Sequence, residues 1–99
     1  MKEILLVCSA GMSTSLLVAK MQKVAEERGY ECNIQAQGNS DIGRFAGKVD
    51  VVLVGPQIKY ALGQIQSQIP NTPIDSIDMR VYGLADGAKA LDQAIELMG

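Results

Sequence analysis

Two short, unbroken apolar runs constrain this chain most: residues 4–7 read Ile-Leu-Leu-Val and residues 51–54 read Val-Val-Leu-Val. A strand with one face in water alternates apolar and polar side chains, so a strand with no polar position has both faces covered. Such strands belong in the middle of a parallel sheet flanked by helices. Neither run approaches the roughly 20 apolar residues of a membrane-spanning helix. No charged-then-apolar leader precedes the first run, which points to a cytoplasmic chain without direct membrane insertion.

The elements around these runs follow from periodicity. After Cys8 comes a stretch of small and hydroxyl residues, Ser9-Ala10-Gly11-Met12-Ser13-Thr14-Ser15, leading into a helix. Leu17, Met21, Val24 and Ala25 fall on one face of that helix, Lys20, Lys23, Glu27 and Arg28 face away, and Gly29 stops it. Residues 31–37 alternate, Cys32, Ile34 and Ala36 against Asn33, Gln35 and Gln37, as a half-exposed edge strand does. Ser40 or Asp41 is placed to cap a short helix through Ala46, which Gly43 and Gly47 weaken. After the second run, Gly55-Pro56 opens a helix with Ile58, Ala61, Leu62, Ile65 and Ile69 at helical intervals, closed by Pro70 and Pro73. Residues 74–77 form a fourth strand, and Leu84, Ala88, Leu91, Ile95 and Met98 give the final helix an apolar stripe.

Strand and helix alternate, so the expected fold is α/β, with a four-stranded parallel sheet and helices on both faces. The two fully apolar strands take the centre and the half-exposed ones the edges, which gives the order 2-1-3-4. The 99 residues, 47% of them hydrophobic and 20% charged, suit a single three-layer domain spanning 1–99. The strand order reverses between strands one and three, and ligands bind at such a switch point, beyond the C-terminal strand ends. Cys8 lies there.

Composition excludes several functions. A net charge of −2 and four aromatics (Tyr30, Phe45, Tyr60, Tyr82) offer neither a basic surface nor a stacking platform for nucleic acid. Two cysteines without any histidine fall short of the four ligands of a structural zinc site. In a reducing cytosol Cys8 and Cys32 are free thiols.

A cysteine that ends a central strand and precedes a small-residue loop and a helix sits where backbone amides converge on an anion. The positive end of the helix dipole favours its thiolate, and a reactive thiol needs such a setting with some exposure. Gly11 permits a tight turn close to a phosphate, and the hydroxyls of Ser9, Ser13, Thr14 and Ser15 add donors. Ser13 serves equally as a helix N-cap, and Cys8 alternatively as a small buried hydrophobe.

The segment from Cys8 to Ser15 resembles the phosphocysteine loop of lactose/cellobiose-type enzyme IIB proteins of the sugar phosphotransferase system. Val54-Gly55-Pro56-Gln57-Ile58-Lys59-Tyr60 is similar to that family's turn after the third strand, and Tyr82-Gly83 to Asp86-Gly87 to its C-terminal helix region. The resemblance implies a phosphocarrier: Cys8 accepts a phosphoryl group from a phosphohistidine of a IIA component and delivers it to a cellobiose- or lactose-type sugar held by the membrane IIC component. Amides of Ser9, Ala10, Gly11, Met12, Ser13, Thr14 and Ser15 then hold the phosphoryl oxygens, with Pro56 and Gln57 beside them. No metal and no organic cofactor is implied, and the chain meets the inner face of the membrane through IIC.

The rival is a low-molecular-weight tyrosine phosphatase or arsenate reductase, which shares the general fold and carries a C-x5-R loop. Here the sixth residue after Cys8 is Thr14. Without the guanidinium fork, much of the electrostatic stabilisation of a transferring phosphoryl group is missing. A non-catalytic module that senses an anion at the loop is a third reading. Of the other residues, Cys32 reads as a buried structural thiol and Asp50 as a strand-start residue, while Asp78 and Asp86 read as helix caps. Met12 suits either a partner surface or packing over the loop, and Gln57 either a phosphate contact or a helix start. Lys59, Arg44 and Arg80 belong to a solvated rim.

Overall fold

The computed structural model describes residues 1–9 and 14–99. Both apolar runs are central strands. Strand β1 (Lys2–Cys8) is followed by helix α1 (Ser15–Arg28), edge strand β2 (Cys32–Gly38) and a 3-10 turn at Ile42–Phe45. Strand β3 (Val51–Val54) leads through a 3-10 segment, Pro56–Ala61, into helix α2 (Leu62–Gln68). Strand β4 (Ile74–Ser76), helix α3 (Met79–Gly83) and helix α4 (Gly87–Met98) complete the chain. The sheet order is β2-β1-β3-β4 with every pairing parallel, as the apolar pattern requires.

Successive side chains of β1 and β3 leave the sheet on opposite sides and build two core layers. Ile4, Leu6, Val51 and Leu53 pack with Leu17, Met21 and Ala25 of α1 and Ala90, Leu91 and Ala94 of α4. Leu5, Val7, Val52 and Val54 pack on the other side with Ile42, Ile58, Ile65 and Ile69. At the N-terminal edge the Glu3 N–H donates to Asp50 Oδ2 (2.7 Å) and the Asp50 N–H donates to the Glu3 carbonyl (2.8 Å), so Asp50 does tie down the start of β3.

Helix α1 ends as expected, with Gly29 at φ 67° and its N–H bonded to the carbonyls of Ala25 and Glu26. Asp78 and Asp86 do cap helices, accepting from the N–H groups of Arg80 and Lys89.

Three local expectations change. The short helix after β2 is a 3-10 turn with Asp41 at its N-cap position but without a side-chain hydrogen bond from it; Gln68 Oε1, reaching across from α2, accepts from the Gly43 N–H at 3.0 Å. The helix after Pro56 is broken at Ile58, whose φ of −121° is not helical, so the buried Ile58, Ala61, Ile65 and Ile69 span a 3-10 segment joined to a short α-helix. The third change concerns the C-terminal stripe. Leu84 is 77% exposed and caps α3, while the buried face of α4 is Gly87, Ala90, Leu91 and Ala94. Small residues face α1 because the helices approach closely: a Cβ on Gly87 would stand 2.5 Å from the Lys20 carbonyl carbon. Periodicity weighs large apolar side chains, whereas a close helix contact selects small ones.

Candidate functional site

Cys8 is the last residue of β1, in register with Gly38 of β2 and one residue beyond the Val7–Val54 pair that ends the pairing with β3. It shares the parity of Ile4 and Leu6, so its side chain leaves the sheet on the α1 side. There Thr14, at the N-cap position of α1, brings its Oγ1 to 3.5 Å from Cys8 Sγ. Thr14 is anchored by its carbonyl, which accepts from the Val18 N–H at 2.9 Å and so closes the first turn of α1. The cap position is therefore held by Thr14, while Ser13 lies outside the described residues.

The sulfur-bearing residue is 1% exposed and Thr14 0% exposed, where a partly open thiol was expected. Turning toward α1 places the side chain under the helix start instead of over the strand ends. Ser9 and Ser15 are exposed on either side of the loop, and Ala10, Gly11, Met12 and Ser13 lie outside the described residues.

The far wall comes from the turn after β3. The Gly55 N–H donates to the Val7 carbonyl at 2.8 Å, carrying the β1–β3 ladder one step past the strands. A Cβ on Gly55 would lie 3.3 Å from Gln57 Oε1, 3.5 Å from the Val7 oxygen and 3.6 Å from Cys8 Cβ. Gln57, exposed on the 3-10 segment, therefore folds its amide oxygen back over Gly55, the residue that also borders Cys8. Pro56 is half-buried and borders a cleft of about 560 Å³ with Lys59, Asp75, Ser76, Asp78 and Met79.

The family model described as "PTS system, Lactose/Cellobiose specific IIB subunit" matches residues 3–93. The chain belongs to that family. Its curated relatives include the oligo-beta-mannoside-specific EIIB component of Bacillus subtilis, 46% identical over 99% of this chain and 97% of the relative. The galactose-specific EIIB component of Lactococcus lactis subsp. cremoris is 44% identical over 98% of this chain and 96% of its own. Among solved structures, a cellobiose-specific IIB component from Borrelia burgdorferi superposes with a TM-score of 0.83 at 33% identity, over 98% of this chain and 91% of that one. The lactose-specific IIB domain from Streptococcus pneumoniae reaches 0.84 at 15% identity, over 96% of this chain and 95% of that one, a likeness of fold. The chain is thus a PTS IIB component of lactose/cellobiose-type sugar uptake, and such components act as phosphotransferases alongside IIA and IIC partners.

Other sequence candidates of this IIB chain stand apart. Cys32 pairs in register with Lys2, at the opposite end of β1 from Cys8, about 20 Å away at the rise of a strand. Its thiol is half-buried, and burial followed by the nearby Glu3 carboxylate pushes it up from the usual cysteine value. A cleft of about 620 Å³ opens beside it, lined by Met1, Gln22, Tyr30 and Glu31 among others, but it is remote from Cys8. Arg44 donates from Nη2 to Gln37 Oε1 at 3.1 Å and lies 4.8 Å from the centroid of the Phe45 ring. No helix among the described residues is long and apolar enough to cross a membrane.

Two features of the site escaped the sequence. Gly55 was read as part of the turn after the third strand, whereas the space its missing side chain leaves is bordered by Gln57 Oε1, the Val7 oxygen and Cys8 Cβ. Thr14 was counted for its amide and as one hydroxyl among several, and only its position at the helix start brings that hydroxyl to the sulfur.

Proposed function

We propose that Cys8 is the phosphoryl-bearing residue, loaded from a phosphohistidine of a IIA component and unloaded onto a cellobiose- or lactose-type sugar held by a membrane IIC component. The observation that supports this most directly is the seating of Cys8 Sγ at the switch point of the sheet, beside the N-cap of α1 and opposite Gly55. The amides of residues 9–15 receive the phosphoryl oxygens in this reading, Pro56 and Gln57 stand at the edge of the site, and no metal or organic cofactor takes part. The chain works in the cytoplasm and reaches the membrane through IIC.

Several surface features fit docking at this end. Leu16 opens α1, Tyr60 follows β3 and Met79 opens α3; each comes just after the C-terminal end of a strand, and they are 59%, 84% and 73% exposed. Exposed apolar side chains around a reactive residue suit a partner surface. The phosphatase reading loses further ground, because the position of its arginine is taken by the fully buried Thr14. With water kept from Sγ and no guanidinium to stabilise hydrolysis, a phosphocysteine persists until an acceptor arrives.

Intact-mass measurement after incubation with a phosphorylated IIA protein tests the reading. The wild-type chain gains one phosphoryl group, Cys8→Ala gains none, and Cys32→Ala still gains one. Labelling that survives Cys8→Ala removes the proposal, and release of inorganic phosphate within seconds removes its carrier character.

A further inference from the structure

We propose that the Thr14 hydroxyl donates a hydrogen bond to Cys8 sulfur, and that it favours the thiolate both as attacking group and as leaving group. Its role in transfer rests on Cys8 being the phosphoryl site. The contact is 3.5 Å between Oγ1 and Sγ, within reach of a sulfur hydrogen bond, and both residues are buried to 1% exposure or less. A thiol so far from solvent cannot rely on water to stabilise its anion, so a protein donor must take water's place. Hydrogen bonds to an ionised acceptor are roughly twice as strong as neutral ones, so Thr14 bonds the thiolate better than it bonds sulfur in a neutral thiol or a phosphothioester.

That difference sets the direction of the chemistry. On loading, the thiolate attacks phosphorus, the S–P bond forms, the N–P bond of the donor breaks, and its electron pair stays on the imidazole nitrogen. On delivery, the sugar oxygen forms the P–O bond, the S–P pair returns to sulfur, and the sugar hydroxyl proton passes to a base of the acceptor partner. The Thr14 proton stays on its oxygen throughout, while its bond to sulfur weakens on loading and strengthens on delivery. Differential stabilisation of this kind lowers the barrier to S–P cleavage and raises the phosphoryl-transfer potential of loaded Cys8. The residue that replaces the phosphatase arginine thus acts on the sulfur, whereas the arginine acts on phosphate.

Thr14→Val keeps the shape and removes the hydroxyl, and Thr14→Ser restores the hydroxyl alone. In a Cys32→Ser background, Thr14→Val lowers the thiolate absorbance of Cys8 at neutral pH. Its alkylation by iodoacetamide slows by about threefold, the loss of hydrogen-bonded thiolate being partly offset by higher intrinsic nucleophilicity. Thr14→Ser recovers most of both, and phosphocysteine delivery to the acceptor slows in Thr14→Val with recovery in Thr14→Ser. Wild-type behaviour in Thr14→Val, or equal slowing in both variants, overturns the proposal. A second reading needs no variant: the shielded Thr14 hydroxyl proton gives an NMR signal that moves downfield as the thiolate forms, and a signal absent or indifferent to pH overturns it as well. Thiolate absorbance and alkylation do not require phosphorylation, so failure of the Thr14 bond and failure of Cys8 as phosphoryl site are separately visible.

Discussion

The two ends of β1 use glycine and cysteine in opposite ways. At the C-terminal end glycines make room: Gly55 leaves open the space bordered by Gln57 and Cys8, and Gly87 lets α4 press on the backbone of α1 at Lys20. At the N-terminal end glycines make turns: Gly29 and Gly47 adopt φ of 67° and 75°, and a side chain on either would meet nothing within 4 Å. The cysteines differ in parallel, Cys8 against a hydroxyl at a helix start and Cys32 against burial and the Glu3 carboxylate. The same residue type meets different surroundings at the two ends of the strand, because helix N-termini gather at only one end of a parallel sheet.

Substitutions at these glycines sharpen that contrast. Gly87→Ala carries the largest expected effect: its Cβ would overlap the backbone of Lys20 and Met21, which cannot swing aside as a side-chain end can. Overpacking of this kind costs about 3 kcal/mol, read as a lower urea midpoint. Gly55→Ala comes next, because its contacts of 3.3–3.6 Å require Gln57 to give way. Stability falls by about 1 kcal/mol in urea titration, while the rate of Cys8 phosphorylation falls further than the fold does. Gly29→Ala separates the two uses, losing about 1 kcal/mol to left-handed strain with phosphorylation unchanged. A phosphorylation defect in Gly29→Ala equal to that of Gly55→Ala would erase the distinction between the ends.

The smallest effect is in pH. The Cys32 thiol is held above its ordinary value in the folded chain, first by burial and then by Glu3. The unfolded chain therefore releases this proton first as pH rises. The stability contributed is fully present below the unfolded cysteine value and is lost as pH climbs from there through the higher folded value. Urea midpoints measured from neutral to alkaline pH decline less in Cys32→Ser than in wild type; equal declines contradict the shift.

Much of the site and fold was legible because it depends on neighbours in sequence. The unbroken runs of β1 and β3 announce their burial on both faces, Gly29 its helix stop, and Asp78 and Asp86 their caps, each through residues within one turn or one strand. Cys8 was legible as the end of such a run, and the strand order placed it at the switch point. Its burial was not, because the turn toward α1 depends on how that helix packs across the sheet. Gln68 capping the Ile42–Phe45 turn joins residues 25 apart, and no local signal announces it.

The chain order of apolar and polar residues alone determined a parallel α/β sheet with Cys8 at the C-terminal end of a central strand, since periodicity and strand burial are local properties of the chain. Packing decided the remainder: that α4 turns its small residues to α1 while Leu84 faces solvent, that Gly55 clears the wall opposite Cys8, and that the Thr14 hydroxyl reaches the sulfur. Those outcomes are set by distances between elements, and such distances exist only after the layers have closed on one another.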